Sequence, residues 1–127
     1  MKDLISVVVT CYNHQDYIEQ CLRSIFGQTY QNIELLVLDD GSTDKSSQII
    51  QETLVDSHFP TRFESHENMG VVKTRNKALQ QIQGTYFIFV DSDDFLDSDY
   101  IESFYTTMLQ EEADIVYGDL YDPDKKE

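Results

Sequence analysis

Three carboxylates stand close together at Asp91, Asp93 and Asp94, directly after the apolar run Phe87-Ile88-Phe89-Val90. Two acids one residue apart, Asp91 and Asp93, can point at the same spot from a tight turn. There they would make a hard oxygen site suited to Mg²⁺ or Mn²⁺ bridging a phosphate. The competing reading is a solvated acidic loop that caps the next helix. The run before the acids decides between them: its β-branched and aromatic residues, preceded by Gly84, predict a central parallel strand. Carboxylates are expensive inside such a strand, so these must lie just past its carboxyl end. In an open α/β sheet that edge is where ligands bind.

The elements that must position these acids read as strands alternating with helices. Leu4 to Thr10 is a continuous apolar strand, followed by a helix over His14 to Gln28 with a stripe at Tyr17, Ile18, Cys21, Leu22, Ile25 and Phe26. Ile33 to Leu38 is a second buried strand. After it, Asp39-Asp40-Gly41-Ser42-Thr43-Asp44 supplies a glycine turn and a Ser or Thr N-cap for a helix carrying Ile49, Ile50, Thr53 and Leu54. Thr61 to His66 reads as a weaker strand nearer an edge. Gly70 opens a helix to about Gln83, and Gly84-Thr85 turns into the strand that ends at Asp91. Asp97 or Ser98 caps a fourth helix, with Tyr100, Ile101, Phe104, Tyr105, Met108 and Leu109 on one face, and Asp114 to Tyr117 starts a fifth strand. Such units predict a parallel sheet covered by helices on both sides.

With the sheet in the order 3-2-1-4, the first and fourth strands are neighbours at the switch point. The loops Thr10-Cys11-Tyr12-Asn13, Asp39-Asp40-Gly41-Ser42 and Asp91-Ser92-Asp93 then converge on one crevice. Tyr12 and Asp40 can supply the aromatic wall and the carboxylate that a nucleotide base and ribose need. The last loop can hold a cation for the phosphates. Arg75 lies on or beside the inward stripe of its helix, with Val71, Ala78 and Ile82, and an inward guanidinium needs an anion. That anion is either Asp39 or Asp40 in an ion pair, or a bound diphosphate. Lys73 is placed to reach the site, whereas Lys77 on another face is expected in solvent.

Composition limits the choices. The 127 residues make room for one domain, expected over 1–127 with its core at about 4–118 and a polar tail over 119–127. Nine basic residues against 24 acidic give a net charge of −15, which repels nucleic acid and anionic lipid. No signal peptide is visible, and no stretch approaches the roughly 18 apolar residues of a membrane span. Two cysteines, Cys11 and Cys21, read as reduced thiols of a cytoplasmic protein.

The segments SVVVTCYNHQDYIEQCLRSIFGQTYQNIELLVLDDGSTDKS, ENMGVVKTRNKAL and YFIFVDSDDFLD resemble the donor-binding half of family 2 glycosyltransferases. The resemblance runs from Ile5 to about Tyr117, with the motifs in order and at the expected spacing. It implies the Rossmann-like GT-A fold, a three-layer α/β/α sandwich truncated before its acceptor half. It also implies that Thr10 and Tyr12 flank the uracil or other base and that Asp40 hydrogen-bonds base or ribose. Arg75 would sit near the diphosphate, and Asp39 would be a structural acid. Asp91 would contact ribose or a metal-bound water, and Asp93 would be the direct ligand of Mg²⁺ or Mn²⁺, with Asp94 pointing away toward the next helix. Asn13, Lys73 and Ser92 complete the expected donor-binding set.

The implied reaction is inverting transfer of a sugar from a nucleoside diphosphate, UDP by preference, to an acceptor hydroxyl on a saccharide or lipid-linked acceptor. Cell-surface polysaccharide assembly, at the inner face of the membrane, is the family's usual setting. Members place the catalytic base well downstream of the acidic strand, so this chain is expected to hold the donor- and metal-binding half. The apolar surface exposed without the remainder would favour self-association. A non-catalytic nucleotide-sugar-binding module is the alternative. A calcium loop over Asp91, Asp93 and Glu102 fails because Leu96 stands where glycine is required. A receiver domain would need an acidic pair where Thr10-Cys11-Tyr12 stands, and a nucleotidyltransferase would need a Gly-rich basic loop there. His14, His58 and His66 read as surface or core residues.

Overall fold

The computed structural model describes residues 3–111. Its strands are β1 (Ile5–Cys11), β2 (Ile33–Asp40), β3 (Thr61–His66) and β4 (Tyr86–Asp91), and its helices are α1 (Ile18–Phe26), α2 (Ser46–Leu54), α3 (Val71–Leu79) and α4 (Tyr100–Glu111). The four strands form one parallel sheet in the order β3-β2-β1-β4, as the sequence predicts. Strand β1 is buried along its whole length, because helices cover both faces and most of the side chains on each face are apolar.

The two faces carry separate cores. Ile5, Val7 and Val9 of β1 pack with Leu35, Val37, Ile88 and Val90 against Ile18, Leu22 and Ile25 of α1, Ile50 of α2 and Ile101 and Tyr105 of α4. On the opposite face Val8, Leu36 and Leu38 meet Ala78 of α3, with Ile82 and Phe89 at the margin. Buried Glu34 accepts hydrogen bonds from Ser6 Oγ at 2.5 Å and from the Gln83 amide at 2.7 Å. These contacts join the turn before β4 to the strands beside it and satisfy a buried polar group that would be costly alone.

The register sets which loops meet. Thr10 pairs with Asp91 across β1 and β4, Cys11 pairs with Asp39 across β1 and β2, and Asp40 pairs with His66 across β2 and β3. All four strands therefore end at one edge of the sheet.

Several local expectations are corrected. Helix α1 begins at Ile18, not His14, because Asn13 takes a left-handed φ of 54° and the His14 carbonyl closes a turn onto the Tyr17 and Ile18 amides. Helix α2 has Lys45 at its cap position and no side-chain cap. Ser42 and Thr43 are instead spent on the turn itself, where they bind Asp39 and Asn13. An early amide of α4 is received by a side chain from outside the helix. Gln28, buried at the end of α1, accepts the Ile101 amide at 2.9 Å and donates to the Asp97 carbonyl at 2.6 Å. On α4, Ile101, Tyr105 and Met108 form the buried stripe while Leu109 is exposed. On α3 the buried positions are Thr74 and Ala78, and Val71 is half exposed. The expected strand over Asp114 to Tyr117 and the polar tail lie outside the described residues.

Candidate nucleotide and metal site

At the carboxyl edge of the sheet lies a cavity of about 360 Å³. The end of β1 and its loop supply Thr10, Cys11, Tyr12 and His14, β2 supplies Asp40, and β4 with its loop supplies Asp91, Ser92 and Asp93. Val71 at the start of α3 closes one side. Parallel strands all present the same end here, so three loops far apart in sequence share one wall. Tyr12 is about half exposed, its ring at the rim, while Thr10 is nearly buried.

Asp40 is buried and heavily bonded. One carboxylate oxygen accepts the Met69 amide at 2.7 Å and faces His66 Nε2 at 3.2 Å. The other accepts the Gly70 amide at 3.0 Å and Asn68 Nδ2 at 3.2 Å. An anion at these amides also favours the positive end of α3. Asp40 thus fixes the entrance of α3 as well as lining the cavity. Behind it, His66 contacts Thr74 Oγ1 at 3.3 Å and Lys77 Nζ at 3.4 Å, and Lys77 pairs with Glu64 at 3.3 Å. Lys77 is therefore engaged rather than simply solvated. Asp39, also buried, accepts Ser42 Oγ at 2.5 Å and Ser65 Oγ at 3.3 Å, consistent with a structural acid.

Asn13 is not among the lining residues. Its side-chain oxygen accepts the Thr43 amide at 2.8 Å and the Asp44 amide at 3.3 Å, and its own amide donates to Ser42 Oγ at 2.9 Å. These bonds pin the loop after β1 to the loop after β2. Lys73 is exposed on α3 and is not part of the lining.

The acids after β4 converge. Asp91, Asp93 and Asp94 each offer a carboxylate oxygen within 4.8 Å of the others, each residue being half-buried. This corrects the expectation that Asp94 points away. A turn closed by the Asp94 amide on the Asp91 carbonyl, at 3.0 Å, brings all three to one side. The donor set is entirely carboxylate, which suits a hard divalent cation such as Mg²⁺ or Mn²⁺ and fits a soft one poorly. Arg75 does not line the cavity but reaches Asp91, Nη2 to Oδ1 at 3.1 Å. It pairs with neither Asp39 nor Asp40, whose oxygens are already taken.

Two buried thiols underlie this loop. Burial pushes the Cys11 thiol up despite hydrogen bonds to Ser92 and Ser46, and burial raises Cys21 much further, so both are kept protonated. Cys21 Sγ donates to the Asp91 carbonyl at 3.6 Å. The residue the sequence reading missed is His14: expected at the surface or in the core, it lines the cavity and contacts Ser92. Its only sequence signal was its place directly after Tyr12-Asn13.

Residues 6–127 match the family model described as glycosyl transferase family 2. Glycosyltransferase GlyA of Streptococcus pneumoniae serotype 4 is 42% identical over 121 residues, which cover 95% of this chain and 17% of GlyA. Among solved structures, S. aureus TarS 1-349 in complex with UDP-GlcNAc superposes with a TM-score of 0.76 at 30% identity, covering 86% of this chain and 32% of that one. Mannosyltransferase PcManGT from Pyrobaculum calidifontis, in complex with GDP-Man and Mn²⁺, superposes with a TM-score of 0.69 at 26% identity, over 75% of this chain and 29% of its own. The chain thus spans a third or less of these relatives' lengths.

Proposed function

Because this chain belongs to glycosyltransferase family 2 and has the GT-A fold, we propose that it forms the donor- and metal-binding half of an inverting transferase. The donor is a nucleoside-diphosphate sugar, UDP-linked by preference, and the acceptor is a hydroxyl on a saccharide or lipid-linked substrate. The observation that carries this reading is the convergence of Asp91, Asp93 and Asp94 beside a cavity walled by Thr10, Tyr12 and Asp40. The complexes of TarS with UDP-GlcNAc and of PcManGT with GDP-Man and Mn²⁺ support it.

Asp93, with Asp91, would hold Mg²⁺ or Mn²⁺, which when bound neutralises charge on the departing diphosphate. Tyr12 offers a ring face for the base, and Thr10 and Asp40 offer polar groups for its edge or for the ribose. Arg75, one turn into α3, is placed by its bond to Asp91 to stabilise phosphate charge beside the acids, and Lys73 is available from the exposed side of the same helix. Asn13 and Ser92 hold the loops that carry these groups.

A base must stand within about 3 Å of the attacking hydroxyl, or one water away. Asp39 and Asp40 are committed to structural hydrogen bonds, and Asp91 is committed to Arg75. We therefore assign the base and the acceptor surface to residues other than those described, and place the reaction at the cytoplasmic side of cell-surface polysaccharide assembly.

Calorimetric titration with UDP, GDP and their sugars, with and without Mn²⁺, tests the assignment. UDP binding that strengthens with Mn²⁺ is the expected result, and binding indifferent to metal would overturn it. Sugar transfer by the 127-residue chain is expected to be negligible. Robust turnover would place the base within it.

A further inference from the structure

His14 belongs to neither the acidic cluster nor the set of groups assigned to the nucleotide, yet its ring bridges two of the three loops. Nδ1 lies 2.5 Å from Ser92 Oγ, the residue between Asp91 and Asp93. The ring stands on a backbone fixed from both sides. The His14 amide donates to Ser46 Oγ at 3.0 Å, and its carbonyl accepts the Tyr17 amide at 3.0 Å and the Ile18 amide at 2.9 Å. Tyr17 packs edge-on against the imidazole, with ring centroids 6.1 Å apart.

Ser92 is 1% exposed, so its hydroxyl is out of reach of solvent and depends on protein partners. The acids on either side of it are half-buried and turned toward one another. Like charges at such separations repel, so each bond that holds the loop helps to keep them together, as Arg75 and the Asp94 amide do at Asp91. We propose that His14 is a positioning residue: through Ser92 it anchors the Asp91–Asp94 loop from below, so that the carboxylates stay convergent before a divalent cation arrives. Preorganisation of this kind spares a metal site the cost of ordering its own ligands.

The inference rests on the proposed metal-assisted reading of the site, and its test has two independent readouts. The first needs no ligand: hydrogen exchange of the amides in residues 91–97 of the 127-residue chain. The second is the gain in UDP affinity produced by Mn²⁺. Asparagine offers an amide near the position of Nδ1, whereas glutamine places one near Nε2. His14→Ala, His14→Gln and Ser92→Ala should therefore speed exchange in 91–97 and cut the Mn²⁺-dependent gain by about tenfold, the order expected for one lost hydrogen bond. His14→Asn should restore both. Ser92→Ala tests the same bond from its other end should the His14 variants fold poorly. Wild-type exchange in the Ala and Gln variants, or equal losses in the Asn and Gln variants, would overturn the proposal. If wild-type protein shows no Mn²⁺-dependent gain but exchange follows this pattern, the anchoring role stands and the metal assignment falls.

Discussion

Arg75 Nη2 and Asp91 Oδ1 lie 3.1 Å apart, and the same guanidinium sits over the Phe89 ring, 4.9 Å from its centroid. A cation from α3 is thereby held against the first acid of the loop after β4, and an aromatic residue of that strand lies under the guanidinium. The sequence alone offered Asp39 and Asp40 as partners. Both are instead used to order turns, and the charge on α3 falls to Asp91.

Replacing Arg75 by Met keeps an unbranched side chain and removes the charge together with the guanidinium contact to Phe89. Nucleotide affinity should fall by on the order of 1–3 kcal/mol, the scale of a charge-assisted contact. Stability should change little, because a partly exposed ion pair contributes little. Calorimetry and thermal melting of the same samples separate the two. A large drop in melting temperature with affinity unchanged in the folded fraction would make the pair purely structural.

Asp93→Ala should abolish the Mn²⁺-dependent strengthening of UDP binding. Asp94→Ala should weaken it measurably as well, since the Asp94 carboxylate converges with the other two. Parallel titrations of the variants decide this. An Asp94→Ala protein indistinguishable from wild type would remove Asp94 from the ligand set.

Gly41 has a φ of +74°, and a Cβ there would lie 2.5 Å from the Asn68 amide nitrogen. Gly41→Ala meets both a strained backbone and a backbone clash that cannot relax cheaply. Destabilisation of roughly 1–3 kcal/mol is expected, read from the urea midpoint. Asn68 also bonds Asp40, so nucleotide binding should suffer in the folded fraction too.

Asp44 titrates below its ordinary value of 3.8. Desolvation, the largest single influence, pushes it up, but hydrogen bonds from the Ser46 side chain, the Ser46 amide and the Gln15 amide outweigh it. A depressed carboxylate stabilises the fold above its unfolded pKa, and that contribution disappears as pH falls through the folded value. Asp44→Asn should therefore melt below wild type near neutral pH, with the gap closing as pH drops below 3.8. A gap independent of pH would show that the loss is one of shape rather than charge.

Strand identity and sheet order were legible in the sequence because a parallel strand buried on both faces is nearly continuously apolar, as Ile5 to Val9 and Ile33 to Leu38 are apart from the mutually bonded pair Ser6 and Glu34. The apolar run also put the acids after Val90 at the binding edge, although β4 ends the described sheet and is only partly buried where a central strand was expected, and chain connectivity left few ways to arrange the strands. Helix ends were less legible. Their partners came from a distance: Gln28, just past α1, reaches α4, and Asp40 reaches the Met69 and Gly70 amides just before α3. No local pattern encodes a partner some 30 or 70 residues away. The identity of the site residues followed from residue type and order, whereas their pairings did not. Whether Arg75 met Asp39, Asp40 or Asp91, whether Asp94 turned in or out, and whether His14 was surface, core or anchor depended on distances between loops. Those distances are set by sheet register and by the packing of α1 and α3 on opposite faces, which exist only once the chain has folded.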